Sequence, residues 1–301
     1  MRDKARTMVL ASFAADSLAL GVHWIYDAAR IASEYGRVES FLKPKENSYH
    51  PTKDMGEFTH YGDQQVVLLE SLAAKKGFDL NDFSERWQNL FRNYKGYFDG
   101  ATKGTLRNFQ KGKGPQDSGS PSNDLAGASR IAPLVFCYQD DVDGLVEAAR
   151  AQTKMTHADP LTVDSAEFLA RVAWKTLRGT SPSAAIAEVT TERFADSTIA
   201  DWVEEGLGSK GMESVTAIGD FGQSCHAPDA VPGVIHLLAK HENDLKEALI
   251  QAVMAGGDNA ARSMAVGMVL GAYLGEEHLP EEWVARLKRK QEIQNFLDLI
   301  G

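Results

Sequence analysis

The sequence predicts an all-α protein with one compact domain over residues 1–301, and three observations support that prediction. Apolar residues recur at helical spacing in nearly every patterned segment. Alternating runs typical of strands are scarce, and the β-branched residues are scattered along the chain. The chain is also long enough to bury one sizeable core, and no internal repeat of fixed period divides it.

The helical segments follow one another along most of the chain. The first runs from Met8 to Leu20, with Ala- and Leu-rich faces around Asp16, which we interpret as a structural hydrogen-bond acceptor. Further helices are predicted over 66–74, 79–92, 102–110, 123–138, 142–152, 160–177, 183–189 and 244–254. In the segment 79–92, Phe83 and Trp87 lie on one apolar stripe, as expected of a helix packed on a core.

The stretch GGDNAARSMAVGMVLGAYLG, residues 256–275, is the most informative in the chain. Gly256 and Gly257 supply a left-handed stop for the preceding helix, and Asp258 is an N-cap residue for the next. That helix carries a glycine at every fourth position from Gly267, so another backbone can approach one face closely. The helix dipole favours a negative charge at its start. Asp258 is therefore either a simple cap or the floor of a metal or polar-ligand site.

Composition excludes several classes of function. A formal net charge of -10 argues against a nucleic-acid partner held through its phosphates. The two cysteines, Cys137 and Cys225, do not suggest a disulfide framework. No secretory cleavage signal follows the start of the chain, and the apolar run near 264–275 is too short and glycine-rich to span a bilayer. We expect a soluble cytoplasmic protein without nucleic-acid or membrane partners, whose oligomeric state the sequence does not define.

Polar residues cluster at the junctions between predicted helices. Two long irregular stretches, 43–61 and 95–121, are of the kind that is usually functional or disordered. The polar clusters are HYGDQ (60–64), SND (122–124), THADP (156–160) and SCHAPD (224–229). Loops of this kind can converge at one end of a helical domain. Cys225 and His226 have no metal partner at a suitable spacing, and we interpret them as loop residues.

Five segments, taken in order, resemble the ADP-ribosylglycohydrolase family, in the branch that includes the J-type lens crystallins. They are AADSLALGVHWIYD (14–27), THYGDQQVVLLESL (59–72), SNDLAGASRIAPL (122–134), THADP (156–160) and AGGDNAARSMAVGMVLGAYLG (255–275). The resemblance implies a compact all-α domain with a binuclear magnesium site in a cleft. It also implies that ADP-ribose is bound there and that its anomeric bond to a protein side chain or small acceptor is hydrolysed.

The metal motifs of that family are eroded in this chain. The family's Thr-Asp-Asp-Thr corresponds to Tyr-Gly-Asp-Gln at 61–64, and its Gly-Gly-Asp-Thr-Asp-Thr corresponds to Gly-Gly-Asp-Asn-Ala-Ala at 256–261. Asp63 and Asp258 are the motif carboxylates that remain. Magnesium often uses one or two carboxylates with water and substrate. The two aspartates are therefore expected to hold at most one ion, not a pair about 4 Å apart. The alternative for Asp63 is a helix cap.

The resemblance and the residue types together nominate a candidate site. Asp63 and Asp258 are expected to hold the metal or a substrate diol. Glu57, the nearest mobile carboxylate to Asp63, is a candidate for water activation, as is Asp124, because glycosidic cleavage commonly uses a carboxyl group in this role. The predicted substrate-binding residues are Tyr61, Gln64, Asn123, Asp124, His157 and Arg262. Tyr61 is expected to stack or pack, and Gln64 to offer an amide oxygen as a weak replacement ligand.

Three of these residues have alternatives that the sequence leaves open. Arg262 lies four residues after Asp258, so it forms either an intrahelical ion pair or a cation in place of the second metal that can grip a phosphate. His157 and Asp159 form either a general base with its orienting group or an ordinary helix start before a proline. Asp124 either hydrogen-bonds ribose hydroxyls or caps a helix.

We therefore predict a hydrolase of an ADP-ribosyl or related ribosyl linkage that uses at most one magnesium ion, with a small-molecule or protein-linked substrate. The main alternative is a non-catalytic binding or structural protein, as in the lens crystallins. A third is hydrolysis of a different glycosidic substrate in a remodelled cleft. Loss of the metal motif favours the non-catalytic alternative, whereas retention of Asp63, Asp258 and Arg262 favours a site that is still used.

Overall fold

The computed structural model describes residues 1–301 and is all-α, as the sequence predicts. The α-helices are α1 (Arg2–Leu20), α2 (Ala28–Tyr35), α3 (His60–Lys75), α4 (Leu80–Arg92), α5 (Gly100–Gln110), α6 (Ala126–Ser129), α7 (Ala132–Cys137), α8 (Val142–Lys154), α9 (Pro160–Leu177), α10 (Pro182–Val189), α11 (Thr198–Gly208), α12 (Ser214–Phe221), α13 (Ala227–Lys240), α14 (Leu245–Met254), α15 (Asn259–Leu274), α16 (Glu281–Arg286) and α17 (Lys290–Ile300). A π-helical turn (Thr190–Phe194) and two 3₁₀ turns (Ser209–Gly211, Glu276–His278) complete the regular structure. No helix combines the length and apolarity needed to cross a membrane.

Helices α1 and α15 form the centre of the domain and are buried along most of their length. A Cβ atom added at Gly267 would lie 2.7 Å from the Ala11 carbonyl oxygen, and one added at Gly271 would lie 2.9 Å from the Met8 Cα. The predicted close approach of a second backbone to the glycine stripe is thus confirmed at these two positions. Gly275 instead ends α15 with a φ of 88°.

The buried apolar side chains form one contiguous cluster around this pair. The cluster extends from Ala5 near the start of α1 to Leu297 in α17, so both ends of the chain contribute to it. Helices that the sequence pattern did not assign, α11 to α13 among them, also contribute buried residues to the cluster. A single core of this kind holds the loops at the ends of α1 and α15 in place.

The structure corrects several local predictions. The helix expected over 123–138 is broken into α6 and α7, because Pro133 has no N–H to continue the ladder of hydrogen bonds. Asp63 does not cap α3, since the Thr59 hydroxyl takes that role by accepting from the Tyr61 N–H at 3.1 Å. Asp124 does not cap α6, which has no side-chain cap.

Two predicted caps are confirmed. The Asp159 carboxylate accepts from the Thr162 N–H at 3.0 Å at the start of α9. The Asp258 carboxylate accepts from the Ala261 N–H at 3.3 Å at the start of α15. Asp258 therefore accepts a backbone N–H that would otherwise be unpaired at the start of α15, in addition to any role in a site.

Replacing Gly267 with alanine is expected to lower the free energy of unfolding by about 1–3 kcal/mol, because the new methyl group overlaps the Ala11 carbonyl and forces α1 and α15 apart. Denaturant titration measures the change. Gly219→Ala in α12 is the matched control, since no atom lies within 4 Å of its added Cβ. The control is expected to be neutral or up to about 1 kcal/mol more stable. Equal stability of the two variants would contradict close packing at Gly267.

Candidate active site

Backbone hydrogen bonds join the end of α1 to the start of α15. The Trp24 N–H donates to the Gly257 carbonyl at 2.9 Å, and the Gly257 N–H donates to the Ile25 carbonyl at 2.9 Å. Gly256 and Gly257 have φ values of 70° and 65°, in the left-handed region that favours glycine. This pairing brings the segment after α1 beside Asp258.

Further backbone hydrogen bonds hold the other polar loops at the same end of the domain. In each pair the first residue donates its N–H to the carbonyl of the second: Asp258 to Gln223 (2.8 Å), Leu125 to Cys225 (2.8 Å) and Ser120 to Thr156 (3.0 Å). The polar clusters around residues 122–124, 156–160 and 224–229 are therefore joined to one another and to the start of α15. Convergence of the polar loops, which the sequence could only suggest, is confirmed.

Asp258 lies fully buried at the centre of this arrangement. Its Oδ1 atom is 3.1 Å from His23 Nε2, and its Oδ2 accepts from the Tyr61 hydroxyl at 2.9 Å. Burial alone would raise the pKa of this carboxyl, but the hydrogen bonds from His23 and Tyr61 outweigh burial and lower the pKa. Asp258 is therefore a buried anion whose two oxygens are both bound by protein groups.

The hydrogen-bond chain continues from Asp258 into a second histidine. His23 Nδ1 lies 2.8 Å from His50 Nε2, and His50 Nδ1 is buried without a partner. If Asp258 accepts from His23 Nε2–H, the tautomers follow along the chain. His23 then accepts from His50, and His50 Nδ1 is left with a free lone pair. We call Asp258, His23 and His50 the histidine chain.

A second buried carboxylate and imidazole lie beside the histidine chain. His60 Nε2 is 3.1 Å from Asp99 Oδ2, and His60 Nδ1 has no partner. Burial opposes ionisation of Asp99, but the His60 bond outweighs it and holds the pKa of Asp99 below its usual range. The His50 and His60 rings are stacked with centroids 5.7 Å apart. Sequence reasoning missed His23, His50 and Asp99, which no motif or short-range spacing connects.

Aromatic side chains cover the histidines on the solvent side. Trp24 stacks on His23 with ring centroids 4.2 Å apart and meets Tyr49 and Tyr97 edge-on, each at 4.9 Å. Trp24 has a φ of 64°, which is rare for a non-glycine residue and is often found at functional sites. Tyr49 is 50% exposed, so this aromatic rim of Trp24, Tyr49 and Tyr97 borders solvent.

Asp63 belongs to a different hydrogen-bond set. Its Oδ2 lies 2.5 Å from the Lys53 ammonium and accepts from the Tyr94 hydroxyl at 2.5 Å. Behind it, Asp16 accepts from both the backbone N–H and the hydroxyl of Thr59, at 2.8 and 2.5 Å. The structural role predicted for Asp16 is confirmed.

The donors present do not fit a magnesium ion shared by Asp63 and Asp258. Lys53 and Tyr94 both bind the Oδ2 atom of Asp63, while His23 and Tyr61 bind the two oxygens of Asp258. No group of three His, Cys, Asp or Glu ligand atoms within 4.8 Å of one another includes either aspartate. Magnesium needs a near-octahedral set of oxygens, and protein hydrogen-bond donors take the place of that set here.

Gln64 is a structural residue and not a free ligand. Its amide oxygen accepts from Trp87 Nε1 and from the Arg130 guanidinium, both at 2.7 Å, and its amide nitrogen donates to the His60 carbonyl at 2.9 Å. Arg130 is fully buried and also donates to Thr156 Oγ1 at 2.5 Å. The amide oxygen predicted to bind metal or substrate is therefore already used to hold a buried cation.

Arg262 does not form the predicted intrahelical ion pair, since His23 is the only basic side chain within 4.0 Å of the Asp258 carboxylate. Arg262 is fully buried, and its Nε and Nη1 atoms have no hydrogen-bond partner, so its role as a cation that grips a phosphate stays a prediction. Its guanidinium donates to the carbonyls of Ala252 and Gly256, at 2.9 and 2.6 Å. Burial lowers the pKa of Arg262 to about 10, with the charge of Asp258 acting in the opposite direction. The residue holds the turn that carries Asp258.

Of the other predicted site residues, His157 and Asn123 lie among the converging loops, and Glu57 lies in a local turn. Glu57 accepts from the Asp54 N–H at 2.6 Å and closes a local turn. His157 is buried, with Nδ1 2.8 Å from Thr156 Oγ1 and Nε2 without a partner. Asn123 is half-buried, and its carbonyl accepts from the Ala227 N–H at 2.8 Å. These contacts connect His157 and Asn123 to the converging loops and leave Glu57 in a local role.

Asp124 faces two residues that sequence reasoning had dismissed. The Cys225 thiol donates to Asp124 Oδ1 at 2.8 Å, and His226 Nε2 lies 4.0 Å from the same oxygen. These three are the only His, Cys, Asp and Glu residues whose ligand atoms form a compact group of three. Cys225 and His226 lie in a loop, as predicted, but Asp124 supplies a third ligand-type atom beside them that the spacing in the sequence did not show. Their partner lies about a hundred residues away in the chain, where no spacing rule could find it.

Two cavities differ in their position relative to the converging loops. One, of about 750 Å³, lies beside the N-terminal half of α1 and is lined by residues such as Arg6, Glu277 and Lys290, so it is separate from the converging loops. A smaller one, of about 390 Å³, adjoins the aromatic rim and is lined by Tyr49 and Tyr97 together with Lys95 and Lys103. The smaller cavity extends the candidate site towards solvent.

Replacing Gln64 with leucine is expected to lower the free energy of unfolding by about 2–4 kcal/mol, because the Arg130 guanidinium and the Trp87 indole both lose their acceptor in a buried position. Chemical denaturation measures the loss. Gln291→Leu, on the exposed face of α17, is the control and should change stability by less than about 0.5 kcal/mol. A Gln64→Leu protein of normal stability would return this residue to the list of ligand candidates.

Stability is expected to fall as the pH drops from about 6.5 towards 4. Burial lowers the pKa of His157 to about 4 and also lowers the pKa values of His23 and His50. These imidazoles stay neutral in the folded protein and take up protons on unfolding when the pH is below 6.5. Their contribution to the free energy of unfolding is therefore complete above pH 6.5 and is progressively lost as the pH falls below that value. Burial raises the pKa of Asp16 to about 7, so the folded protein binds this proton more tightly than the unfolded chain does. Between pH 4 and 7, Asp16 therefore makes the protein more stable as the pH falls.

Unfolding midpoints at several pH values test this dependence. His157→Gln should flatten the slope between pH 4 and 6.5, while His278→Gln, at a histidine whose side chain is 38% exposed, should leave it unchanged. An unaltered slope in His157→Gln would show that this imidazole does not exchange a proton on unfolding.

Comparison with known proteins identifies the family. The family model described as ADP-ribosylglycohydrolase matches residues 1–301. Crystallin J1A of Tripedalia cystophora is 25% identical over 320 residues, covering 100% of this chain and 97% of the crystallin. ADP-ribosylhydrolase ARH3 of Mus musculus is 25% identical over 307 residues, covering 87% and 81%.

A solved structure supports the same fold. The structure titled "ADP-ribosylglycohydrolase-related protein complex" superposes with a TM-score of 0.77 at 23% identity, covering 99% of this chain and 97% of that one. The resemblance of the five sequence segments is thus confirmed over the whole length. The chain belongs to the ADP-ribosylglycohydrolase family.

Proposed function

We propose that this protein hydrolyses an ADP-ribosyl-type glycosidic bond at the cleft around Asp258, without a binuclear magnesium site. Family membership supports the reaction class. The eroded motifs and the protein partners of Asp63 and Asp258 support the absence of a metal pair. The cleft then has to achieve with fixed protein groups what the family site achieves with two ions.

The pair of unpartnered imidazole nitrogens is the observation that carries this proposal. When His60 donates from Nε2–H to Asp99, as His23 does to Asp258, His50 Nδ1 and His60 Nδ1 are both acceptors without a donor. A buried acceptor that is left unpaired costs about 1–3 kcal/mol. The two hydroxyl groups of a ribose are donors that would satisfy both nitrogens. Because the aromatic rim covers these atoms, the rim must shift when a ligand enters.

In this proposal, Asp258 stabilises the transition state. Cleavage of a ribosyl bond passes through an oxocarbenium-like state with positive charge on the sugar. A buried, ionised carboxylate acts strongly on such charge because little water screens it. His23 and Tyr61 hold the carboxylate in place, so no reorganisation is needed when the charge develops.

Asp124 is the better candidate for water activation. Its side chain is 14% exposed at the edge of the cleft, whereas the Glu57 carboxylate is used in a local turn. A carboxylate in this position can accept a proton from the attacking water.

The groove beside the rim suits the rest of the nucleotide. Tyr49 and Tyr97 offer faces on which an adenine can stack, and the Lys103 ammonium lies 5.6 Å from the Tyr97 ring centroid. Lys95 and Lys103 supply positive charge to a pyrophosphate. The aromatic and basic lining thus favours an ADP-ribose-type ligand over an uncharged glycoside.

The proposal is tested by incubating purified protein with arginine-linked and serine-linked ADP-ribosyl peptides, once with EDTA and once with millimolar magnesium. We expect release of ADP-ribose from at least one linkage at similar rates in both conditions, measured by liquid chromatography and mass spectrometry. Release that requires magnesium would overturn the metal-free part of the proposal. No release from either peptide would overturn the hydrolase.

A second candidate function is non-catalytic binding. The protein partners of both motif carboxylates, together with the similarity to crystallin J1A, favour it. Calorimetric titration of ADP-ribose separates the two. Binding without turnover of either peptide would support this second function, and absence of binding would remove the ADP-ribose assignment altogether.

Replacing Asp258 with asparagine is expected to reduce kcat/KM by about 100-fold or more, because the buried negative charge opposite the sugar is lost. Stability is expected to fall by about 1–3 kcal/mol, since asparagine keeps the N-cap and an oxygen for His23 but its amide nitrogen cannot accept from the Tyr61 hydroxyl. The rate is therefore measured under conditions in which circular dichroism shows the variant to be folded. Asp159→Asn at the cap of α9 is the matched control and should retain full activity. A fully active Asp258→Asn protein would exclude the assigned role.

A further inference from the structure

The compact group of Asp124, Cys225 and His226 has the composition of a transition-metal site. It combines a thiol, an imidazole and a carboxylate whose ligand atoms all lie within 4.8 Å of one another. None of the three corresponds to a position in the eroded metal motifs. We propose that Asp124, Cys225 and His226 bind one divalent ion of the zinc type at the edge of the cleft, with a further coordination position open to solvent.

The distances between the ligand atoms suit such an ion. Cys225 Sγ is 2.8 Å and His226 Nε2 is 4.0 Å from Asp124 Oδ1. Zinc bonds of about 2.0–2.3 Å in tetrahedral geometry put neighbouring ligand atoms about 3.3–3.8 Å apart. The observed distances bracket that range. Small rotations of the exposed imidazole and the thiol are enough to reach it.

The backbone holds the three ligands in place before any ion binds. Asp124 and His226 form an isolated antiparallel β-bridge, in which the Leu125 N–H donates to the Cys225 carbonyl and the Ala227 N–H to the Asn123 carbonyl, both at 2.8 Å. The ligands therefore come from two segments that are already locked together. Binding an ion would order only side chains, which keeps the entropy cost low.

The chemistry of the ligands selects the class of metal. Thiolate and imidazole ligands favour zinc and related transition metals, whereas magnesium prefers a set of oxygens. Three protein ligands with one open position are the arrangement found in catalytic zinc sites. The His226 side chain is 55% exposed, so the open position would face solvent. On binding, the thiol proton that now bridges Cys225 and Asp124 leaves to solvent.

Cobalt(II) is the probe for this site, because a thiolate ligand gives a sulfur-to-cobalt charge-transfer absorption. Reduced, tag-free, full-length protein is titrated with cobalt and then with zinc. We expect the band to saturate at one cobalt per chain and to disappear when zinc displaces it. No charge-transfer band in the wild-type protein, or a band that zinc does not displace, would overturn the proposal.

The two cysteines provide a matched pair of variants. Cys225→Ser is expected to abolish the band, and Cys137→Ser, which lies at the end of α7 outside the group, should keep it. His226→Asn changes an exposed side chain and should weaken cobalt binding at least tenfold, with circular dichroism confirming the fold. A band that persists in Cys225→Ser, or unchanged affinity in His226→Asn, would refute the assignment.

The proposed metal site and the proposed hydrolase share Asp124, and the metal-free protein measured in EDTA is the form in which Asp124 is free to accept a proton from water. The metal site rests on the three ligands and their backbone bridge, and cobalt absorption detects it without turnover. If cobalt binding fails, hydrolysis measured in EDTA is unaffected. If hydrolysis fails and cobalt binds, the metal site stands as a property of the chain.

Discussion

The pairing of the backbone at Trp24 and Gly257 is the constraint on which the candidate site depends. It closes the gap between the end of α1 and the start of α15, and Trp24, Gly256 and Gly257 all adopt left-handed φ values to form it. A Cβ atom at Gly257 would lie 2.1 Å from the Gln223 carbonyl oxygen, so only glycine fits. This pairing puts the imidazole of His23 against a carboxylate that lies at a helix start.

Protein groups balance the negative charges that the family's motifs devote to metal ions. A lysine ammonium meets Asp63, and an imidazole and a phenol meet Asp258. Removing a carboxylate from water without such partners would cost several kcal/mol. Neutral imidazoles in the histidine chain donate hydrogen bonds to Asp258 and so stabilise its ionised form. No buried positive charge is needed to do this. The site therefore keeps an anion at its centre and is closed to a shared magnesium ion.

The candidate site was only partly predictable from sequence, and the reason lies in the range of the interactions. Asp258 and Asp63 stood out because they lie in short motifs beside helix starts. Gln64 and Arg262 were also nominated by motif position, yet both serve buried hydrogen-bond networks that join distant helices. Asp99, Lys53 and His50 were missed because each meets its partner through tertiary packing. The type of a residue indicates which chemistry its side chain can perform. The neighbours of that side chain in the folded protein decide which role it has.

The sequence by itself determined the fold class, the family and the main helices, because apolar periodicity, caps and glycine spacing act over a few residues. It also predicted, from glycines four positions apart, that another backbone approaches α15 closely, and the structure identifies that backbone as α1. Only the tertiary structure decided which polar groups share a site, since that depends on loops far apart in the chain. Asp124 and Cys225 are the clearest case: a backbone bridge brings together side chains whose separation in sequence gives no hint of contact.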